Sequence, residues 1–356
     1  MRRLVFLAML ALAAAVPAAA AGPVTISADG LFYGDNTEFF NRYREGETIF
    51  GVWGRVTASV PLGPNVEVRG GVFGNERFGS ERSFELVRPV LQLRVGSERS
   101  RFVFGTLDTV RPVPGGGPDR LTLHGLLPPI QIETLALTRP HEAGVQWLVA
   151  SGRVTNDLWL NWQKLNTPEH REVLDAGTAG RVRVHGPFSA ALQVHVVHHG
   201  GQLYDVGPVS DSWAFALGAV ATPRVPFVDS FEAELYGLAS KDKPNRELGS
   251  ETTSGRAVML RVSATKLGFR THLIVWNGRD FAKEEGDANY LSRGGDGVFH
   301  PGTRHYAELG LAKVLRPVEG VVVDASARLH KVESKIEYSY RLVARVDFDL
   351  PLGRPR

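Results

Sequence analysis

The chain has 356 residues, no cysteine, 39 glycines and a formal net charge of +3. It offers no disulfide framework, and no run of eighteen apolar residues follows residue 22, which excludes helical membrane spans although 43% of the chain is hydrophobic. Losing the two arginines of the leader, Arg2 and Arg3, takes +3 to +1, and a near-neutral chain makes no electrostatic case for a nucleic-acid partner.

Residues 1–22 read as a signal peptide. Arg2 and Arg3 supply the positive start, Leu4 to Val16 the apolar run, and Pro17 with Ala18–Ala21 a small-residue cleavage region. Cleavage is expected near Ala20 or Ala21. The rest, 23–356, reads as one domain. A first strand is expected over 24–33. Period-two alternation then marks 49–60, 66–74, 177–185, 189–199, 213–222, 231–240, 255–265, 269–277, 304–315, 321–331 and 337–350. These lengths suit a tilted barrel strand of about 9–11 residues.

The last segment is the clearest. Tyr338, Tyr340, Leu342, Ala344, Val346, Phe348 and Leu350 share one parity; Glu337, Ser339, Arg341, Arg345, Asp347 and Asp349 share the other, with Val343 out of place. Side chains alternate between faces along a strand, so one face is apolar and the other charged. That pattern suits a wall between lipid and an aqueous lumen. A soluble sandwich alternates too, but the signal segment, the number of strands and the aromatics near strand ends favour a barrel.

Connection lengths point the same way. Those at 61–65, 97–100, 186–188 and 266–268 are tight; those at 34–48, 75–84, 164–176, 200–212, 241–254 and 278–303 are long. A barrel alternates short periplasmic turns with longer outer loops. Reading Leu121–Gly125 as a short strand, with a turn at 127–130, restores the alternation. The expectation is an all-β, single antiparallel transmembrane β-barrel of about eighteen strands, with sixteen as the fallback and both termini periplasmic.

The leader, the alternating strands and the closing strand from Tyr338 to Leu350 resemble bacterial outer-membrane β-barrels of the porin type. One departure is the tail, where Phe348 is followed by Asp349, Leu350 and Pro-Leu-Gly-Arg-Pro-Arg instead of a terminal aromatic. A weaker resemblance, carried by Tyr33 to Phe40 and by His198-His199-Gly200-Gly201-Gln202, is to barrels associated with exopolysaccharide secretion. These resemblances imply a Gram-negative outer membrane, with its lipid and the barrel assembly machinery as partners. They also admit a saccharide cargo or polysaccharide secretion machinery as a partner.

Strand parity places Arg55, Arg69, Arg94, Arg181, Arg183, Arg261, Arg270, Arg328, Arg341 and Arg345 in the lumen, with Glu232, Glu234, Glu308, Asp324 and Asp347. Charged side chains there set selectivity or pair across strands. Trp159 shares a face with Asn161 and Gln163, a mixture that stacks on and hydrogen-bonds saccharides; it also reads as an interface aromatic, as does Trp162 on the opposite face. Glu169 and Glu172 read as solvated loop charges. His195 and His199 share a face about 13 Å apart, too far for one metal ion. Gly115-Gly116-Gly117 lacks the residues of a phosphate loop. No nucleophile motif is present, so no catalytic residue, metal or cofactor is expected. The expectation is a channel for hydrophilic solutes, a saccharide or exopolysaccharide among them, and not an enzyme. A plugged structural or enzymatic barrel, or a soluble secreted β-rich binding protein, are the alternatives.

Overall fold

The computed structural model describes residues 22–81, 83–109, 121–249 and 252–352. Residues 1–21 of the expected signal peptide and the run of three glycines at 115–117 lie outside them. The described chain forms β1 (Val24–Phe40), β2 (Glu45–Gly63), β3 (Val66–Arg77), β4 (Leu86–Ser97), β5 (Ser100–Thr106), β6 (Ala143–Ala150), β7 (Val154–Lys164) and β8 (Glu172–His185). It continues as β9 (Phe188–Gly200), β10 (Ser210–Ala221), β11 (Ser230–Lys243), β12 (Thr253–Lys266), β13 (Phe269–Arg279), β14 (Thr303–Leu315), β15 (Val321–Val332) and β16 (Lys335–Leu352).

Each strand pairs antiparallel with its neighbours in sequence, and β1 closes on β16 from Val24 opposite Leu352 to Glu38 opposite Tyr338. The result is a closed barrel of sixteen strands, the fallback count. Closure leaves no unpaired edge. The even count brings both chain ends to the end of the barrel that carries the tight turns. At that end Leu267 and Gly268 join β12 to β13 with φ of 51° and 73°, the paired positive values of a two-residue hairpin turn.

The alternation predicted along the strands is observed. On β13 Leu273 and Val275 are exposed on the outer wall, whereas Arg270, His272, Ile274 and Trp276 are buried on the lumen side. The outward leucines Leu273, Leu309 and Leu329 lie in one hydrogen-bonded row across β13, β14 and β15, which builds a continuous apolar belt.

Three expectations need correction. The segment 34–48 is almost all strand; only 41–44 connect β1 to β2. Asn36 and Glu38 on the outer wall hid the alternation there. The connection between β15 and β16 is only 333–334, so the long-loop rim is low over β15, β16, β1 and β2. The third concerns 121–130, which forms no barrel strand.

Instead, residues 121–138, between β5 and β6, fold into the lumen as a plug. Leu121, Leu123, Leu126, Leu127, Ile130 and Leu137 are all buried, the last within a helical turn at Leu135–Thr138. Part of the plug meets Leu31, Tyr33, Ile49, Trp53, Phe73, Val90 and Val343 on the lumen side of β1–β4 and β16. Val343 thus breaks the polar parity because it faces the plug, not water. The rest meets Trp159, Tyr236, Met259, Ile274 and Trp276 on the opposite wall.

The 280–302 loop also folds inward, with Phe281, Tyr290 and Leu291 buried. The two loops meet through Ile132 N–H to Glu285 C=O at 2.7 Å and Asp287 N–H to Pro128 C=O at 2.9 Å. Backbone hydrogen bonds between loops satisfy polar groups that burial would otherwise leave unpaired.

Candidate active site

Four residues on three consecutive strands converge on the lumen face near the low rim. Ser339 lies on β16, His330 on β15, and Tyr306 and Glu308 on β14. Their parities point all four inward. The register sets Glu308 directly opposite His330, with Ser339 and Tyr306 on the diagonals. Diagonal neighbours are within reach of long side chains.

His330 Nε2 lies 2.8 Å from Ser339 Oγ, and His330 Nδ1 lies 2.7 Å from the Tyr306 hydroxyl. Tyr306 donates its hydroxyl hydrogen to Glu308 Oε2 at 2.7 Å. A phenol has one hydrogen to give, so its oxygen accepts from His330, which puts the imidazole proton on Nδ1. Nε2 is then the bare nitrogen, and Ser339 donates to it. This is the tautomer a general base needs beside a hydroxyl nucleophile. Glu308 Oε2 stands 3.6 Å from Nδ1, and its Oε1 engages His272 Nε2 at 2.6 Å. Phe39 packs edge-on against the His330 ring at 4.9 Å, and all four residues are buried.

A second buried network ties the plug to β6–β9. His124, on the plug, sits between Asp157 at 2.9 Å and Glu142 at 2.8 Å and lies flat on Trp159, centroids 3.9 Å apart. Burial works against its charge, but Asp157 and Glu142 outweigh burial and raise its pKa to about 10. Trp159 donates its indole N–H to Asp175 Oδ1 at 2.9 Å, which also meets His195 Nε2 at 3.0 Å.

Asp175, His195 and Glu285 offer ligand atoms within 4.8 Å of one another, a spacing that could hold a metal ion. The carboxylates are already engaged. Gln163 donates to both at 3.1 Å, and Arg139 pairs with Glu285. The set therefore reads first as a hydrogen-bonded clamp between the wall and the two inserted loops.

All fifteen sequence-predicted charged residues lie on the strand parity that faces inward. Many are paired: Arg55 with Asp29, Arg69 with Glu67, Arg94 with Asp108 and Glu67, and Arg181 with Glu232 and Glu234. Arg328 and Arg341 both hold Glu133 of the plug, at 2.8 and 2.9 Å. Burial opposes the charge of Glu133, but the two arginines outweigh it and lower its pKa to about 2. Arg261, Arg270, Asp324 and Glu308 line the β12–β15 side, Arg183, Arg345 and Asp347 the tight-turn mouth. Trp159 is only 3% exposed and carries His124 on its ring, so it presents no open face to a sugar. The relay escaped the sequence analysis because no local motif spells it; parity alone placed Glu308 and Ser339 on the inward side.

The sequence matches the family described as Lipid A 3'-O-deacylase-type over residues 16–355. The chain belongs to this family. The expectation that it is not an enzyme is therefore corrected: the deacylase-type family is an enzyme family. No curated protein matches the sequence. Among solved structures the barrel is similar to a loop-deletion variant of OmpT, an outer membrane protein of Vibrio cholerae, at TM-score 0.55 and 9% identity, covering 92% of this chain and 100% of that one. It is also similar to OccK2 (OpdF) of Pseudomonas aeruginosa, at TM-score 0.52 and 12% identity, covering 93% and 98%. At these identities the likeness is one of fold.

Proposed function

We propose that this deacylase-type barrel resides in the outer membrane and hydrolyses an acyl ester of a lipid A-type glycolipid. The observation that carries this reading is the Ser339–His330 pair, with His330 held in the base tautomer by Tyr306 and Glu308. Both termini and the tight turns then face the periplasm, and the long loops face outward. The low rim over β15, β16, β1 and β2 gives a lipid headgroup a short lateral path toward Ser339.

In the reaction Ser339 Oγ attacks the ester carbonyl as its proton passes to His330 Nε2. The tetrahedral intermediate collapses, and the sugar hydroxyl leaves with the proton from His330. Water, deprotonated by the same nitrogen, releases the fatty acid from Ser339. Tyr306 and Glu308 hold the imidazole and stabilise its charged form.

The test is release of fatty acid from lipid A by the purified barrel. Ser339→Ala is expected to lose about 10³-fold or more in rate and to lose labelling by a fluorophosphonate. A parental rate in that variant overturns the assignment.

A second reading, passage of hydrophilic solutes such as saccharides around the plug, is favoured by a charged cavity of about 1070 Å³ at the tight-turn mouth and one of about 480 Å³ beside the 280–302 loop. Planar-bilayer recording decides it: stable steps in the wild type support passage, and silence rejects it.

A further inference from the structure

The outer wall carries a groove of about 760 Å³ across β13–β16, β1 and β2. Such a volume lies within the ~300–1,000 Å³ typical of small-molecule sites. Its floor is made of small residues, Gly34, Ala325 and Ala327, and its sides include Phe50, Leu311 and Tyr340. Gly34 is required there. A Cβ on it would meet the Phe50 ring at 2.5 Å and drive that ring into the groove.

The groove belongs to the outward apolar belt, where the surrounding medium is hydrocarbon. Its position is not arbitrary. Asn36, Tyr340, Ala327 and Leu311 form one row across β1, β16, β15 and β14. The adjacent row, Thr37, Ser339, Arg328 and Gly310, carries the nucleophile on the opposite face of the same strands.

Toward the low rim the groove ends in polar groups that face outward. Thr48 donates to Asn36 Oδ1, and Asn36 Nδ2 donates to Glu38 Oε1 at 2.9 Å. Polar side chains on a lipid-facing wall are costly within hydrocarbon, so this trio marks the level where a lipid's ester and sugar begin. The groove therefore runs from headgroup depth into chain depth, on the wall behind Ser339.

We infer that the groove binds one acyl chain of the lipid A-type glycolipid, holding the molecule at the wall while its headgroup crosses the rim. This rests on the proposed lipid-ester function and adds to it the site that holds the substrate.

The experiment is native mass spectrometry of the full barrel carrying Ser339→Ala, in detergent with added lipid A, counting retained lipid. Ala327→Trp and Ala325→Trp fill the groove and are expected to cut retention at least tenfold. Leu329→Trp, outward on the same strand but outside the groove, is expected to retain lipid as its parent does. Should a tryptophan variant lose heat-modifiable gel mobility, Ala327→Leu is scored in its place.

Undiminished retention in the groove variants overturns the inference, as does equal retention of phosphatidylethanolamine. Groove-dependent retention without hydrolysis by the wild type rejects the esterase reading alone. Hydrolysis without groove-dependent retention rejects the groove alone.

Discussion

Replacing His124 by alanine tests whether charge holds the plug in the lumen. The imidazole reaches Glu142 at 2.8 Å and Asp157 at 2.9 Å, and all three side chains are almost wholly buried. A pKa raised from 6.5 to about 10 corresponds to about 5 kcal/mol of preference for the charged ring. Removing one member of a buried ion pair costs about 3–5 kcal/mol, because its partners stay buried and unpaired. The variant also loses the stacked contact with Trp159. We expect plug docking to weaken by about 3–5 kcal/mol, while the closed sheet survives.

Two assays at pH 7 read this: limited proteolysis of the plug should accelerate by more than tenfold, and heat-modifiable gel mobility should persist. The sign of the pH dependence follows from the raised pKa. The His124 contribution is complete below about pH 6.5 and fades as pH rises through about 10. Parental protease resistance in His124→Ala would refute the electrostatic account of the plug.

Leu137→Ala truncates a fully buried plug side chain and should cost about 2–5 kcal/mol, read as faster plug proteolysis with the barrel intact. Leu309→Arg places a charge on the middle of β14, on the outer wall. It should cost about 2–4 kcal/mol in a urea titration in lipid, whereas Arg183→Ala on the lumen side should cost little; equal costs would contradict the facing. Glu133 carries a lowered pKa, so its stabilisation is present above about pH 4.5 and lost as pH falls through about 2. Glu133→Gln should therefore flatten the fall of Tm between about pH 5 and 2, with an unchanged slope counting against the Arg328 and Arg341 pairing.

The wall was legible in the sequence because a strand with two unlike faces imposes a strictly local rule. Every second residue of β10 through β16 points outward, and that period survives without knowledge of neighbours. What fills the lumen follows no such rule. Leu121–Gly125 reads as a strand because a short apolar run does not distinguish a strand from a buried loop. The inward apolar residues Leu31, Tyr33 and Val343 interrupt the polar parity only because the plug lies against them. The relay required more still. Ser339, His330 and Glu308 meet through a register across three strands, and alternation within each strand does not fix that register. His195 gave the same lesson: its partner is Asp175 on β8, not the neighbouring His198 or His199.

The junction between Ile132 and Glu285, and that between Asp287 and Pro128, ties the two inserted loops to each other and not only to the wall. A closed circuit of sixteen strands encloses a bore wider than wall side chains alone can fill. Knitting two loops together through main-chain contacts fills part of that bore from within the chain itself. Any substitution that loosens that seam would reopen the bore while leaving the wall itself untouched.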